Sequence, residues 1–549
     1  MLLTMLALLI GIYYFKVRLA IPLVSFKKVN ASQITKNKDF FISKNGSWLK
    51  ENDQGLWEMY LTGEPYERGI AFGALADESN LMAEKEAAFV SEINNKIPSP
   101  TYLRFLKYMV GWLNRDLDDY ISEEYLLEIY GSSQYMPNEY DYIAPKFHRA
   151  LSYHAAHDIG HALQNINLVG CTSFATWGDK STGNKLLIGR NFDFYFGQDF
   201  AKDKIIAFYN PASGYQFMSV TWACFSGVVS GMNEKGLSVT LNSAKSAIPL
   251  KGKTPVSIIA REILQYASNI KEALAIADKH ESFVAETFLI GSKEDNKAAL
   301  IEKTPSKTSL YSTDNNEMIV TNHFQSLELQ SDLLNKEYQA EGVSDYRHKR
   351  VKQLIDSLTP ISPNNMVTIL RDKEGLNGKD IGLSNEKAIN QLIAHHSIVF
   401  SPSDMTVWVS APPYNLGKYV AYDLDSIFSS NDRNFSYSDS LSIDNDPFGS
   451  SPEYTKYVNF LNAKERIQKY LITGNGVVLS DAELQQFITS NPNSFLTYYY
   501  LGDYSLALEN YQDAVKYFQI GLTKEIAKKS EKSHMEEGLA TALEELKND

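Results

Sequence analysis

The sequence predicts an α+β layered fold, stacked sheets covered by helices, followed by an all-α C-terminal module. Three observations carry this. Short strand-like runs cluster after residue 171 and are separated by helical stretches. Residues 428–451 are rich in Ser, Asp and Asn and poor in large apolar groups, the composition of a linker. Beyond that segment the pattern is helical.

The chain has 549 residues, a length for about three to four domains or fewer large ones. It is 44% hydrophobic and 22% charged, so a sizeable core can form. Fifty-three Lys and Arg against sixty-six Asp and Glu give a net charge of −13. Nucleic-acid binding needs basic patches against phosphate, and no Lys/Arg-rich run supplies one. Two cysteines, Cys171 and Cys224, argue against a disulfide framework and cannot make a zinc site alone.

Taken in order, Met1 to Phe15 is an uncharged apolar run followed by Lys16 and Arg18. It is short of the roughly twenty residues that span a bilayer, although Leu19 to Phe26 can extend it. It lacks a basic n-region and an A-x-A cleavage site. Residues 1–26 therefore read as a signal anchor or uncleaved signal, with a buried core helix as the alternative. The positive residues after the run favour, by themselves, a cytoplasmic body.

Residues 30–53 are polar, with Asn45-Gly46 as a turn signal, and Gly55–Thr62 reads as a strand. It leads through Gly63-Glu-Pro-Tyr-Glu-Arg-Gly69 into a helix reaching Leu81 to Ile93. Residues 102–165 are mostly helical, with Pro137 as a break. After Cys171 the period changes. Cys171–Trp177 and Lys185–Phe194 read as strands joined by a turn over Gly178–Asn184. Strands follow at Ile205–Tyr209 and Gln216–Phe225, then a hairpin over Val228–Asn242. Pro255 suits the first position of a helix whose pattern runs to Lys279. Phe283–Ile290, Ala298–Lys303, Met318–Thr321, Thr406–Ser410 and Tyr419–Asp423 read as strands, and Tyr346–Leu358 as a helix. In the final module, Tyr498, Leu501, Gly502, Ala514, Phe518 and Gly521 match the spacing of one tetratricopeptide repeat, against a generic helical hairpin.

The chemistry centres on Gly170-Cys171-Thr172-Ser173. A cysteine exposed at a new N-terminus combines a thiol nucleophile with its own α-amine, whose ordinary pKa is near ~8, as base. The glycine before it adopts backbone shapes that let the thiol reach its carbonyl. Gly170 and Cys171 therefore mark a cleavage site, made by an N-to-S acyl shift and hydrolysis. Arg190 and Asp193 lie nineteen and twenty-two residues on. A carboxylate can hold the α-amino group, and a nearby guanidinium favours thiolate. Residues 190 and 193 fall on opposite faces of an ideal strand, so joining them at one site needs a twist, a bulge or a strand end.

Cys-Thr-Ser, then Gly189-Arg190-Asn191-x-Asp193, then Gly231-Met-Asn-Glu-Lys-Gly-Leu237 ending in Leu241-Asn242, resembles the choloylglycine hydrolase group of N-terminal-nucleophile (Ntn) hydrolases. The long segment before the cysteine, with Gly63–Gly69 and Gly73, is more similar to the self-processing isopenicillin-N (acyl-CoA:6-aminopenicillanic acid) acyltransferase branch. The resemblance spans residues 55–425 and implies a four-layer αββα sandwich. It implies Cys171 as nucleophile and base, Arg190 and Asp193 as its positioning pair, and Asn242 as an oxyanion donor. It also implies Asn322 as a second asparagine near the intermediate and Arg347 as an ordering arginine. No cofactor or metal follows from it.

The chain then divides into an anchor (1–26), a prosegment (27–170), a catalytic region (171–427), a linker (428–451) and a TPR-like module (452–549). The implied substrate is a small N-acyl amide, with acyl-CoA or an amine as a second reactant left open. A protein partner on the helical module and a membrane contact through the N-terminal segment are expected. The protein reads as membrane-anchored or exported, the extracytoplasmic side favoured. The competing class is a non-catalytic, membrane-tethered binding protein that uses the helical module. His154, His157 and His161 share a helical face, but without a zincin glutamate they read as structural or solvated. Cys224 reads as a buried free thiol.

Overall fold

The computed structural model describes all residues except 1, 25–29, 39, 98, 156–169, 195–196, 248–251, 431–434, 477 and 549. Helix α1 (Leu2–Lys16) opens the chain. Four strands follow, β1 (Ile34–Asn37), β2 (Phe40–Ser43), β3 (Trp48–Glu51) and β4 (Trp57–Gly63). Then come α2 (Pro65–Glu78), α3 (Leu81–Lys96), α4 (Pro100–Leu113), α5 (Glu123–Ser133) and α6 (Lys146–His154). After Cys171 the order is β5 (Thr172–Thr176), β6 (Leu187–Phe192), a short α7 (Gly197–Phe200), β7 (Ile205–Pro211), β8 (Phe217–Thr221), β9 (Ser230–Asn233) and β10 (Leu237–Ser243). Helices α8 (Val256–Tyr266) and α9 (Ile270–Lys279) precede β11 (Glu286–Ser292), β12 (Lys297–Thr304), β13 (Lys307–Tyr311) and β14 (Glu317–Val320). Next are α10 (Leu333–Ala340), α11 (Val343–Leu358), α12 (Pro363–Leu370), β15 (His396–Ser401), β16 (Thr406–Ser410), β17 (Tyr419–Asp423), α13 (Leu424–Ser429) and β18 (Ser438–Ile443). The chain ends in α14 (Pro452–Thr473), α15 (Asp481–Ser490), α16 (Phe495–Ala507), α17 (Tyr511–Gly521) and α18 (Lys529–Asn548).

The strands form an eleven-stranded sheet, β1-β2-β3-β4-β7-β8-β9-β10-β11-β12-β13, and a seven-stranded sheet, β14-β5-β6-β15-β16-β17-β18. Successive side chains of a strand point to opposite faces, so each sheet buries two surfaces. Ala175, Ile188, Ile398 and Val407 of the smaller sheet meet Ile206, Phe208, Met218 and Leu289 of the larger. On its other face the larger sheet packs Leu241 and Phe288 against Ile259 and Ile263 of α8 and Phe72 and Leu75 of α2. The smaller sheet packs Phe174 and Leu187 against Val351 and Ile355 of α11 and Met366 and Leu370 of α12. The result is helix, sheet, sheet, helix.

The segment before Cys171 is part of this core. Strand β4 pairs in parallel with β7 along Trp57–Gly63 and Ile205–Pro211, and it brings β1–β3 into the larger sheet. Buried Glu128 on α5 ties Arg68 on α2 (2.6 Å) to Arg261 on α8 (3.2 Å). Removing Glu128 would leave two buried guanidinium groups without their shared partner. A cut after Gly170 therefore leaves two pieces sharing one sheet and one core.

Several elements depart from the sequence expectation. The polar stretch 30–53 contains β1–β3, whose outermost strand is mostly exposed while Trp48 and Leu49 are buried. Edge strands carry polar residues, which hides them from a hydrophobic pattern. Strand β15 is an unbroken buried run between β6 and β16, without the alternation that marks a half-exposed strand. The Pro255–Lys279 helix is two helices, broken where Asn269 caps α9 by accepting from Glu272 N. Within the expected linker, residues 438–443 form β18, an irregular edge strand on β17 with a bulge between Tyr419 and Ala421. Its mostly exposed side chains explain the polar composition. The expected helix through 156–165 lies outside the described residues.

The C-terminal helices dock on the chain's own loop between α12 and β15. Asn491 accepts from Leu383 N and donates to Leu383 O, both at 3.0 Å. Asn385 donates to Glu525 O (2.8 Å), and Lys379 and Lys387 both pair with the Glu525 carboxylate at 2.7 Å. Leu392 is buried with Tyr457 and Phe460 of α14. Between α16 and α17, Gly502 lies under the Phe518 ring, where a Cβ would collide.

Candidate active site

Strand alternation places the site. In β5, Phe174 faces the α11–α12 layer and Ala175 faces the other sheet. Period two then points Ser173 between the sheets as well; Cys171 precedes the strand and is buried in the core that includes Leu241 and Phe192. In β6, Leu187 and Asn191 face the helices, whereas Ile188 and Arg190 face inward. Ser173 and Arg190 are direct cross-strand partners.

Arg190 is fully buried. Its guanidinium donates to the Val229 and Leu241 carbonyls and the Ser230 hydroxyl on β9, β10 and the turn before them. It lies 4.4 Å over the Phe192 ring. Thus held, its Nη2 sits 3.7 Å from Cys171 Sγ. Strand β6 ends at Phe192, so Asp193 is the first residue past it and escapes the alternation; this strand end resolves the opposite-face problem. The Asp193 backbone carbonyl accepts from Gly170 N at 3.1 Å.

Arg347 of α11 donates to Cys171 O (2.6 Å) and Thr172 Oγ1 (2.8 Å), and Asn322 Oδ1 accepts from its Nη2 at 2.7 Å. Asn322 Nδ2 donates to the carbonyl and hydroxyl of Ser243. Asn322 therefore orients Arg347. Asn242, at the end of β10, accepts from Ser173 Oγ at 2.6 Å. Its Nδ2 makes only long bonds, 3.4 and 3.2 Å, to the Val320 and Thr321 carbonyls. Cys171, Arg190, Asp193, Asn242, Asn322 and Arg347 thus gather at the edge where β5 and β6 face β9 and β10.

At the thiol, burial adds to the guanidinium effect that the sequence implies, with the opposite sign. Burial pushes the Cys171 thiol up to about 11; Arg190 pulls it down, and Asp193 and Glu286 push it up further. Desolvation outweighs the guanidinium, so with the Gly170–Cys171 bond intact the sulfur is a neutral thiol. Burial likewise raises Asp193 to about 7, against the pull of Arg347 and Arg190. Its Oδ1 is buried with no hydrogen-bond partner among the described residues.

Two nearby residues were not anticipated. Glu286, at the start of β11, is buried and acts electrostatically on both Cys171 and Arg190. Gln391, in the loop before β15, donates to Gly170 O (3.0 Å) and Asp193 Oδ2 (3.3 Å). No local motif marks either one, since Gln391 lies 221 residues from Gly170. Beside Phe194, Phe89 and Tyr153 from before the cysteine and Trp222 and Phe225 from after it wall one cavity.

The tempting alternatives have structural partners. His154 is buried, contacts Ala150 O through Nδ1 and accepts from Ser226 N through Nε2. Burial lowers its pKa to about 4. His157 and His161 lie outside the described residues, and among the described residues no three His, Cys, Asp or Glu gather to hold a metal. Cys224 is buried against Met82, sulfur to sulfur 2.7 Å. The Gly231–Leu237 motif makes a turn: Asn233 Oδ1 accepts from Lys235 N and Leu237 N, and Gly236 adopts φ +70°.

Residues 180–413 match the acyl-coenzyme A:6-aminopenicillanic acid acyl-transferase family. Over these residues the chain is similar to that family. The match begins after Cys171 and does not include it. An uncharacterised protein of Archaeoglobus fulgidus is 23% identical over 44% of this chain and 42% of its own length. Protein dcd1B of Dictyostelium discoideum is 24% identical over 47% of this chain and 53% of its own. The chain thus spans about half the length of these curated relatives. Among solved structures, a Caenorhabditis elegans N-acylethanolamine-hydrolyzing acid amidase ortholog is 18% identical, with TM-score 0.32 over 42% of this chain and 93% of that chain. A mutant of conjugated bile acid hydrolase from Clostridium perfringens is 14% identical, with TM-score 0.32 over 49% of this chain and 95% of that chain.

Proposed function

We propose that the protein cuts itself between Gly170 and Cys171 and then acts as a cysteine amidohydrolase or acyltransferase on a small N-acyl amide. The observation that carries this is a buried thiol, directly after a glycine, within reach of Arg190 and beside a carboxylate whose Oδ1 lacks a partner among the described residues. Once freed, the Cys171 α-amine takes the thiol proton. The sulfur attacks the substrate carbonyl, and the electron pair moves to its oxygen. The Asn242 carboxamide, its oxygen held by Ser173 and its Nδ2 at 3.2 and 3.4 Å from carbonyls, supplies the donor to that oxyanion. Collapse expels the amine with a proton from the Cys171 ammonium and leaves a thioester. Water or an amine acceptor then resolves it; we favour water, which is always present. The test is a panel of N-acyl amides, with and without amine acceptors. Acyl mass should appear on the Cys171 fragment, with free acid accumulating. Turnover unchanged in Cys171→Ala would refute the reading.

We infer that the N-terminal segment also contacts a membrane surface. No helix among the described residues is long and apolar enough to cross a membrane. Instead α1 docks on α4, with Tyr13 donating to Tyr108 O and stacking on Trp112. Together they expose Leu8, Ile12, Phe15, Phe105 and Trp112, next to Arg104 and Lys107. Apolar and aromatic groups flanked by basic ones suit the interface of an anionic bilayer. Phe105→Glu with Trp112→Glu should lower co-flotation with anionic vesicles at least several-fold; equal flotation would remove this face from the account.

A further inference from the structure

We propose that Gln391 is the hydrogen-bond donor that stabilises the oxyanion on the Gly170 carbonyl during self-cleavage, and that the C-terminal helices hold the loop that carries it. This rests on the self-processing reading. Gln391 is buried, and its Nε2 contacts Gly170 O and Asp193 Oδ2. The Gly170 carbonyl only accepts, so the carboxamide nitrogen must face it. One group thereby touches the atom on which negative charge develops and the carboxylate that acts electrostatically on Cys171.

The contact also accounts for glycine at the cut. A Cβ on residue 170 would stand 2.8 Å from Gln391 Nε2 and 3.2 Å from Oε1. Any side chain there displaces the donor. The loop is fixed on both sides of Gln391. Asn390 N donates to Asp372 O, and Leu392 is buried with Tyr457 and Phe460 of α14. Asn491 and Glu525 grip the same loop at Leu383, Asn385 and Lys387.

The cleavage step is then balanced. The Asp193 carboxylate takes the thiol proton while sulfur bonds to the Gly170 carbonyl carbon. The carbonyl electron pair moves to oxygen, where Gln391 donates. Collapse breaks the C–N bond, and the proton passes from Asp193 to the Cys171 nitrogen. Water hydrolyses the thioester, giving a Gly170 carboxylate and a free Cys171 thiol and amine.

The test uses the full chain followed by intact mass. Gln391→Ala should slow cleavage by about a hundredfold, the usual loss on removing an oxyanion donor, and accumulate uncut chain. Gln391→Met keeps the side-chain length without the donor and serves where alanine unfolds the loop. Gln391→Glu adds a readout that mere packing does not move. Its carboxyl donates only when protonated, so uncut Gln391→Glu should overtake uncut Gln391→Ala in cleavage rate as pH falls from about 8 to about 5. Full cleavage of the alanine and methionine variants, or equal rates for Glu and Ala at every pH, overturns the role of Gln391 and leaves self-processing intact. A wild type that stays whole removes both.

Discussion

Cys171→Ala should leave the chain as one uncut polypeptide of about 61.9 kDa and abolish amide turnover. The same sulfur starts both reactions, so one substitution removes both. Losing a nucleophile costs on the order of 10⁴-fold or more in rate. The substitution removes a single sulfur from a fully buried site, so the fold should persist with a small cavity. Intact mass and a melting curve on the same sample separate loss of chemistry from loss of structure. A Cys171→Ala protein that still splits after Gly170 would assign the cut to another agent.

Asp193 gives the second large effect, on stability against pH. Its carboxyl is held near 7 in the folded, uncut chain against an ordinary value of 3.8. A carboxyl raised by folding favours the folded state below its unfolded pKa and penalises it above. The uncut chain should therefore lose stability as pH rises from about 4 through 7, on the order of 4 kcal/mol in all. Melting of the Cys171→Ala chain should show this slope, and adding Asp193→Asn should flatten it. If the proposed cut occurs, the new Cys171 α-ammonium adds a positive charge near Asp193, and the slope should shrink in the cut chain. Equal slopes in the two uncut chains would show that Asp193 is not the strained group.

These effects also separate what the sequence carries from what it cannot. Cys171, Arg190 and Asp193 were legible because one hairpin, β5–β6, holds all three. The geometric condition on Arg190 and Asp193 was readable too, and the end of β6 meets it. Asn242, Asn322 and Arg347 were legible only through a family pattern, since they come from β10, the turn after β14, and α11. Asn322 also accepts from Arg347 and so helps to orient it. Gln391 had no signal, because an irregular loop and the C-terminal helices bring it to Gly170. Arg190 lowers the thiol pKa as its proximity implies, while the larger effect of burial depends on tertiary packing, which no local spacing encodes. The helical module was read for its internal spacing, whereas its place against the Gln391 loop is a tertiary fact.

The most direct measurement is the mass of the purified wild-type chain under denaturing and native conditions. The account predicts two polypeptides when denatured, one ending at Gly170 and one beginning with Cys171. Under native conditions they should travel together, because β4 and β7 share a sheet across the cut. A single unbroken chain, or a cut at any other bond, would contradict it.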